Sequence, residues 1–209
     1  MAQPGIEIKV QNQSAIPMQT LQHFTTVPIA QPTLQDPTFR CLWASREVTD
    51  DGVGHTLMGK TWSTPTTIPH LASFYKRSEG SSPLEPDVEV RRFYTLGGDL
   101  NAHPNLLHGG VIGCILDSTL GAAVGIGSRG VNMTSMYTVQ LNVKYEKPVR
   151  TPGTICARAT VKKMQDGGRN WKVWAEGVIE SLGEDGEVVV HSRAEGMWVG
   201  KKGTPKGKM

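Results

Sequence analysis

Cysteine is scarce in this chain of 209 residues: Cys41, Cys114 and Cys156 are odd in number, too few for a disulfide framework, and without zinc-ligand spacing among themselves or with the six histidines. That scarcity points to a reducing compartment. A secretory pattern is also missing, because Met1 to Gln31 is polar and proline-dotted where a signal peptide runs from charged to apolar to small residues. The expectation is a cytoplasmic protein. Nor is there a real excess of charge. The formal +3 comes from Lys201, Lys202, Lys206 and Lys208 near the end, and the remainder carries 18 basic against 19 acidic residues. That tail reads as solvated and disordered, and no nucleic-acid partner is expected. No internal repeat is visible.

Two familiar signatures occur only in broken form. Gly125-Ile126-Gly127-Ser128-Arg129-Gly130 matches G-x-G-x-x-G. It closes a helical stretch and precedes a strand, the reverse of a dinucleotide-binding turn, so it reads as a helix stop and loop. The same run misses a G-x-S-x-G nucleophile elbow, since Ile126 stands where the first glycine belongs, and a serine-hydrolase triad has no anchor.

What is present is one long apolar stretch, Leu106 to Gly127, LLHGGVIGCILDSTLGAAVGIG, whose polar side chains are His108, Asp117, Ser118 and Thr119. A membrane span needs about 20 lipid-compatible residues, and a central carboxylate costs roughly 2.5 to 3.5 kcal/mol there. With Asp117 in the segment, and Gly109, Gly110, Gly113, Gly121 and Gly125 lowering its hydropathy, the better reading is a core helix wrapped by a sheet, and no membrane span is expected. Glycines let such a helix lie close to a curved sheet. A carboxylate in an apolar helix must be paired or used. At the helix start, free backbone N–H groups and the positive end of the dipole can hold a carbonyl oxygen as it becomes an oxyanion. His108 and Asp117 lie nine positions apart, which puts them on opposite faces and about 13 Å apart along the axis. If both serve one reaction, the site must be shared between two protomers.

The rest of the chain reads as strands and connections. Residues 1–50 predict an N-terminal arm, extended or partly disordered. Thr56 to Ser63 suggests a strand, Ile68 to Lys76 a short helix, Glu79 to Asp87 a loop and Glu89 to Leu96 a strand, followed by a turn-rich connection through His103. After the helix, four segments alternate with period two: Val139, Leu141, Val143 and Tyr145; Ile155, Ala157, Ala159 and Val161; Trp171 to Ile179; Val188 to Trp198. Turns at 148–153, 166–168 and 184–186 separate them. The pattern predicts a four-strand antiparallel meander with one buried face, in which His191 faces outward or meets a partner.

The run His108-Gly109-Gly110-Val111-Ile112, with Asp117 nine residues after the histidine, followed by Thr138-Val139-Gln140-Leu141-Asn142-Val143-Lys144-Tyr145-Glu146-Lys147-Pro148, resembles the hotdog-fold acyl-CoA thioesterases of the phenylacetate-pathway and thioesterase-superfamily-member type. The match covers about Arg91 to Val199. It implies an α+β hotdog fold, a long central helix wrapped by a curved antiparallel sheet of five to six strands, over residues 51–199, with 200–209 as a basic tail. It also implies homodimers that often pair into tetramers, a two-protomer site, and an acyl-CoA or carrier-protein thioester as substrate with no metal or redox cofactor. By motif position Gly109 donates its N–H to the thioester carbonyl with His108 beside it. Asp117 acts as general base or nucleophile, and Thr138 holds the water or the carboxylate. Gly110, Asn101, Asn105, Ser118, Lys144 and Arg150 are candidates for substrate binding. One departure stands out: Ala102 occupies the position where many relatives have asparagine. The same scaffold supports alternatives: a hydratase, dehydratase or cyclase on a biosynthetic thioester or polyketide, and a non-catalytic acyl-thioester binder.

Overall fold

A computed structural model describes residues 6–43, 46, 48 and 55–203. Its centre is the helix α3 (Gly109–Gly127), and its frame is an antiparallel sheet of seven strands: β1 (Arg40–Leu42), β2 (His70–Arg77), β3 (Val88–Leu96), β6 (Met133–Tyr145), β7 (Gly153–Asp166), β8 (Asn170–Leu182) and β9 (Val188–Lys202). A small hairpin of β4 (Asn101–His103) and β5 (Leu106–Leu107) delivers the chain to the helix. The sheet runs β1-β2-β3-β7-β8-β9-β6, one strand more than the upper expectation. The additional strand is β1, contributed by the N-terminal region and paired with β2.

The four strands after the helix fall where the alternation put them, but they do not form one meander. Only β7, β8 and β9 are consecutive neighbours; β6 lies beyond β9, and β7 pairs with β3. The connection at 146–152 crosses the helix start instead of turning tightly, so β6 is left at an edge. Local helix and strand assignments reverse between residues 56 and 77. Leu57–Thr61 is a π-helical turn, and the stretch expected as a short helix is β2. Strand β2 is covered on both faces, with Leu71, Ala72, Ser73 and Phe74 all buried, so it lacks the period-two signal of a half-exposed strand. The terminal tail is shorter than expected, because Lys201 and Lys202 continue β9; residues 204–209 lie outside the described residues.

Two apolar clusters occupy the two faces of the sheet. On the concave face Ile115, Leu116, Leu120 and Val124 of α3 meet Val90, Tyr94, Ala157, Val173, Ala175 and Ile179. On the other face the described N-terminal residues are not an extended arm. α1 (Met18–Thr25) and a short α2 (Gln31–Leu34) pack Leu21, Phe24 and Leu34, together with Phe39 just before β1 and Cys41 on it, onto Ala72, Phe74 and Phe93. Their helix signal was diluted by proline and glutamine, and tertiary burial supplied what propensity did not.

Candidate active site

Helix α3 is only half wrapped. Ile115, Leu116, Leu120, Ala123 and Val124 are fully buried, whereas Gly110, Cys114 and Gly125 are exposed and Gly113, Asp117, Ser118, Gly121 and Ala122 are partly so. These eight positions fall within half a turn of one another on the helix circumference at 100° per residue. By length and hydropathy α3 is apolar enough to cross a membrane, yet half of that window is buried in this fold and the open stripe carries the carboxylate.

Asp117 lies in a groove of about 490 Å³ walled by Gly110, Gly113, Cys114 and Ser118 of the helix, Leu141 of β6, and His55, Leu57 and Met58. A second, smaller concavity continues from Asp117 and His55 along Gly121 and Ala122, with Met136, Thr138, Trp198 and Arg92 around it. The Thr138 hydroxyl donates to Asp117 Oδ1 at 2.8 Å, which fixes the carboxylate and leaves its second oxygen to the groove. A β-bulge brings this about. The register of β6 on β9 slips between Thr138 and Gln140, so the inward phase changes from Met136 and Thr138 to Leu141 and Val143. The simple alternation predicted Val139 inward; it is exposed instead. Cys114, one turn before Asp117, is held protonated: partial burial raises its pKa first, and the neighbouring carboxylate adds to this. A thiolate nucleophile is disfavoured there.

The helix start carries the other group of candidate residues. His108 is the N-cap, and its Nδ1 accepts from the Gly110 N–H at 2.9 Å. The neutral ring therefore carries its proton on Nε2, where it can donate. The Gly109 N–H stands outside the helical ladder, and among the described residues it has no acceptor. Tyr145 of β6 anchors this corner by donating its hydroxyl to the Gly109 carbonyl at 2.9 Å. Two donors thus leave the helix N-terminus, the Gly109 N–H and His108 Nε2–H, without a partner among the described residues.

The structure gathers Asp117, Thr138, Gly110 and Ser118 at one groove and places His108 and Gly109 at the helix start. The other candidates are engaged locally. Asn101 Oδ1 accepts from the Thr151 hydroxyl at 2.6 Å, and Asn105 adopts a positive φ of 59° in the turn between β4 and β5. Ser118 Oγ accepts from Arg92 at 2.6 Å. Lys144 is exposed and pairs with Glu146 at 3.3 Å, while Arg150 is exposed beside a β-bridge to Leu106. Ala102 is exposed on β4. His191, expected to face outward or meet a partner, is buried. A bulge in β9 turns it inward, where Nδ1 donates to the Pro148 carbonyl at 2.9 Å and Nε2 accepts from Ser181. Sequence reasoning missed Arg92, whose guanidinium bonds Ser73 and the Ser118 carbonyl inside the core. Its signal was available: Arg92 shares the inward phase of Val90 and Tyr94 on β3. His55, Leu57 and Met58 carried no comparable signal.

Residues 104–166, the segment containing the helix start, Asp117 and Thr138, match the profile of the thioesterase superfamily. The chain is 26% identical over 182 residues to Verlamelin biosynthesis protein B of Lecanicillium sp, covering 73% of this chain and 78% of that protein. A crystal structure of a thioesterase superfamily protein aligns at 26% identity with a TM-score of 0.43, covering 62% of this chain and 55% of that one. This chain therefore spans little more than half the length of that relative. A thioesterase from Haemophilus influenzae aligns at 15% identity with a TM-score of 0.46, over 78% of this chain and 98% of its own. The architecture is a hotdog fold, a mixed α+β domain with its long helix seated on a large antiparallel sheet.

Proposed function

We propose that the protein hydrolyses an acyl thioester, of coenzyme A or of a carrier protein, at a site completed by a second copy of the chain. The observation that carries this reading is the separation within one chain of an anchored carboxylate in an apolar groove from two free donors at the start of the same helix. One copy cannot bring them together, since His108 lies about 13 Å from Asp117 along the axis and on the opposite face, and Gly109 lies about 12 Å away. The exposed edge of β6, with Tyr137 62%, Val139 56% and Tyr145 55% accessible, supports edge-to-edge pairing of two sheets. The phenylacetate-pathway subtype remains part of this proposal, as does assembly of dimers into tetramers.

In the proposed reaction Asp117 takes a proton from water as its oxygen attacks the thioester carbonyl. The developing oxyanion is held by the partner's Gly109 N–H and Nε2–H of the partner's His108. When the C–S bond breaks, the thiolate leaves and recovers the proton from Asp117. Thr138 keeps the carboxylate aimed throughout. The three unpaired thiols support a cytoplasmic location; burial pushes Cys41 and Cys156 up to about 12. The likeness to a protein named for biosynthesis favours a biosynthetic thioester as substrate and keeps one second reading in play, a hydratase or cyclase on such an intermediate. The test is a thiol-release assay across short, long and aromatic acyl-CoAs. Hydrolysis predicts release of free thiol; a change in enoyl absorbance without thiol favours the second reading, and binding without turnover overturns both.

A further inference from the structure

Beyond the C-terminal end of α3 lies a cleft of about 430 Å³ that the reaction above does not use. Arg40 of β1, Lys76 and Arg77 of β2 and Arg129 just after the helix all line it, with Glu79 as its single carboxylate. Lys76 is already committed to Glu89 at 3.2 Å. Arg40, Arg77 and Arg129 have no ion-pair partner among the described residues. Two of the three are nonetheless held in place. Arg129 lies over the Tyr75 ring, 5.1 Å from its centroid, and donates to the Tyr75 hydroxyl at 3.1 Å; Arg77 donates to the Ile126 carbonyl. That last contact also offsets the negative end of the helix dipole, which would otherwise oppose an anion. Guanidinium groups held in place and not paired to a carboxylate are what a phosphate recognises.

Helix α3 links the catalytic groove to the cleft, because Arg77 of the cleft wall bonds the carbonyl of Ile126 in its last turn. Ile126 is nine residues beyond Asp117, about 13.5 Å along the axis. Between them the open stripe is small: Ser118, Gly121, Ala122 and Gly125, where a Cβ at Gly125 would meet nothing within 4 Å. A pantetheine arm runs about thirteen atoms from phosphate ester to sulfur, the length of roughly four extended residues, or about 14 Å. The two lengths agree.

We propose that the Arg40–Arg77–Arg129 cleft is the phosphate subsite of the thioester groove, binding the phosphate end of a pantetheine thioester while its sulfur lies at Asp117. This rests on the reading of the groove as a thioester hydrolase. The phosphate has two sources, the nucleotide of coenzyme A or the phosphodiester of a carrier-protein arm.

The test compares substrates that differ only in the phosphate. Wild type, Arg40→Glu and Arg129→Glu are assayed with an acyl-CoA, the matching acyl carrier-protein thioester, and the matching N-acetylcysteamine thioester, which has no phosphate. Both variants are expected to raise KM at least about tenfold for a phosphate-bearing substrate, the size of one charge-assisted contact, with kcat and N-acetylcysteamine turnover unchanged. Loss confined to acyl-CoA identifies the nucleotide, and loss confined to the carrier-protein substrate identifies the arm. Equal loss on all three, or none on any, overturns the proposal. Should no thioester be hydrolysed, the function falls separately and calorimetry judges the cleft: binding of adenosine 3′,5′-bisphosphate by wild type and its loss in both variants supports the subsite, and no binding overturns it.

Discussion

The two faces of α3 obey different rules. Against the sheet the helix presents Ile115, Leu116, Leu120 and Val124, all fully buried, and the strand opposite makes room for them: a Cβ at Gly177 would approach Leu120 to 2.6 Å. On the other face it presents glycine, alanine, cysteine and serine around one carboxylate, and no described residue covers them fully. The first face stabilises the fold through apolar burial, at roughly 25 cal/mol per Å². The second contributes little to folding and leaves space for a ligand or a second copy. Under the proposed function, stability and chemistry are therefore separable on a single helix.

The sharpest way to test that separation is to damage one face and read both properties. Asp117→Asn should lower kcat by about 10²- to 10⁴-fold while the thermal midpoint stays within a few degrees of wild type. Full activity in a folded Asp117→Asn variant would remove the carboxylate from the mechanism. Leu120→Ala, on the buried face, should do the reverse. It should cost about 2 to 5 kcal/mol in denaturant unfolding, with little change in turnover per folded molecule. If Leu120→Ala abolished turnover without loss of stability, the division between faces would be wrong.

Smaller effects sharpen the picture. Thr138→Val removes the hydroxyl that aims Asp117 and should reduce kcat about tenfold, worth about 1.4 kcal/mol, with KM nearly unchanged. Val139→Lys places a charge on the exposed edge of β6. Sedimentation should show more monomer, and specific activity should fall on dilution; a monomeric yet fully active variant would refute the shared site.

The mildest expected effect concerns pH. His191 is neutral in its buried pocket, and desolvation lowers its pKa. His23 and His70 stack with ring centroids 4.0 Å apart, where α1 docks on β2. Burial lowers both, with the pair's mutual repulsion adding at His23 and Arg46 adding at His70. All three folded values lie below the free value of 6.5, so the unfolded chain binds more protons. Their stability is complete above about pH 6.5 and is lost as pH falls through the folded values. Melting curves from about pH 7.5 to 5 should show a falling midpoint, with a shallower slope in His191→Gln. A flat profile would contradict this account.

Much of this was legible in the residues and some was not. Strands β7, β8 and β9 announced themselves because one face is buried and the other solvated, which writes period two into the sequence. β2 escaped because both its faces are covered. Val139 was misplaced because a bulge beside Thr138 shifts the phase of β6, and no alternation rule anticipates one inserted residue. His191 was misplaced for the same reason on β9.

By itself the sequence determined the apolar helix, the glycine-rich start with its histidine, and the carboxylate nine residues on, because local spacing and helical periodicity are fixed by backbone geometry. Only the tertiary structure decided that half of that helix stays open, that Thr138 reaches Asp117, and that Arg40, Arg77 and Arg129 converge at its far end. Those outcomes depend on contacts between residues distant along the chain, and strand order and register set them.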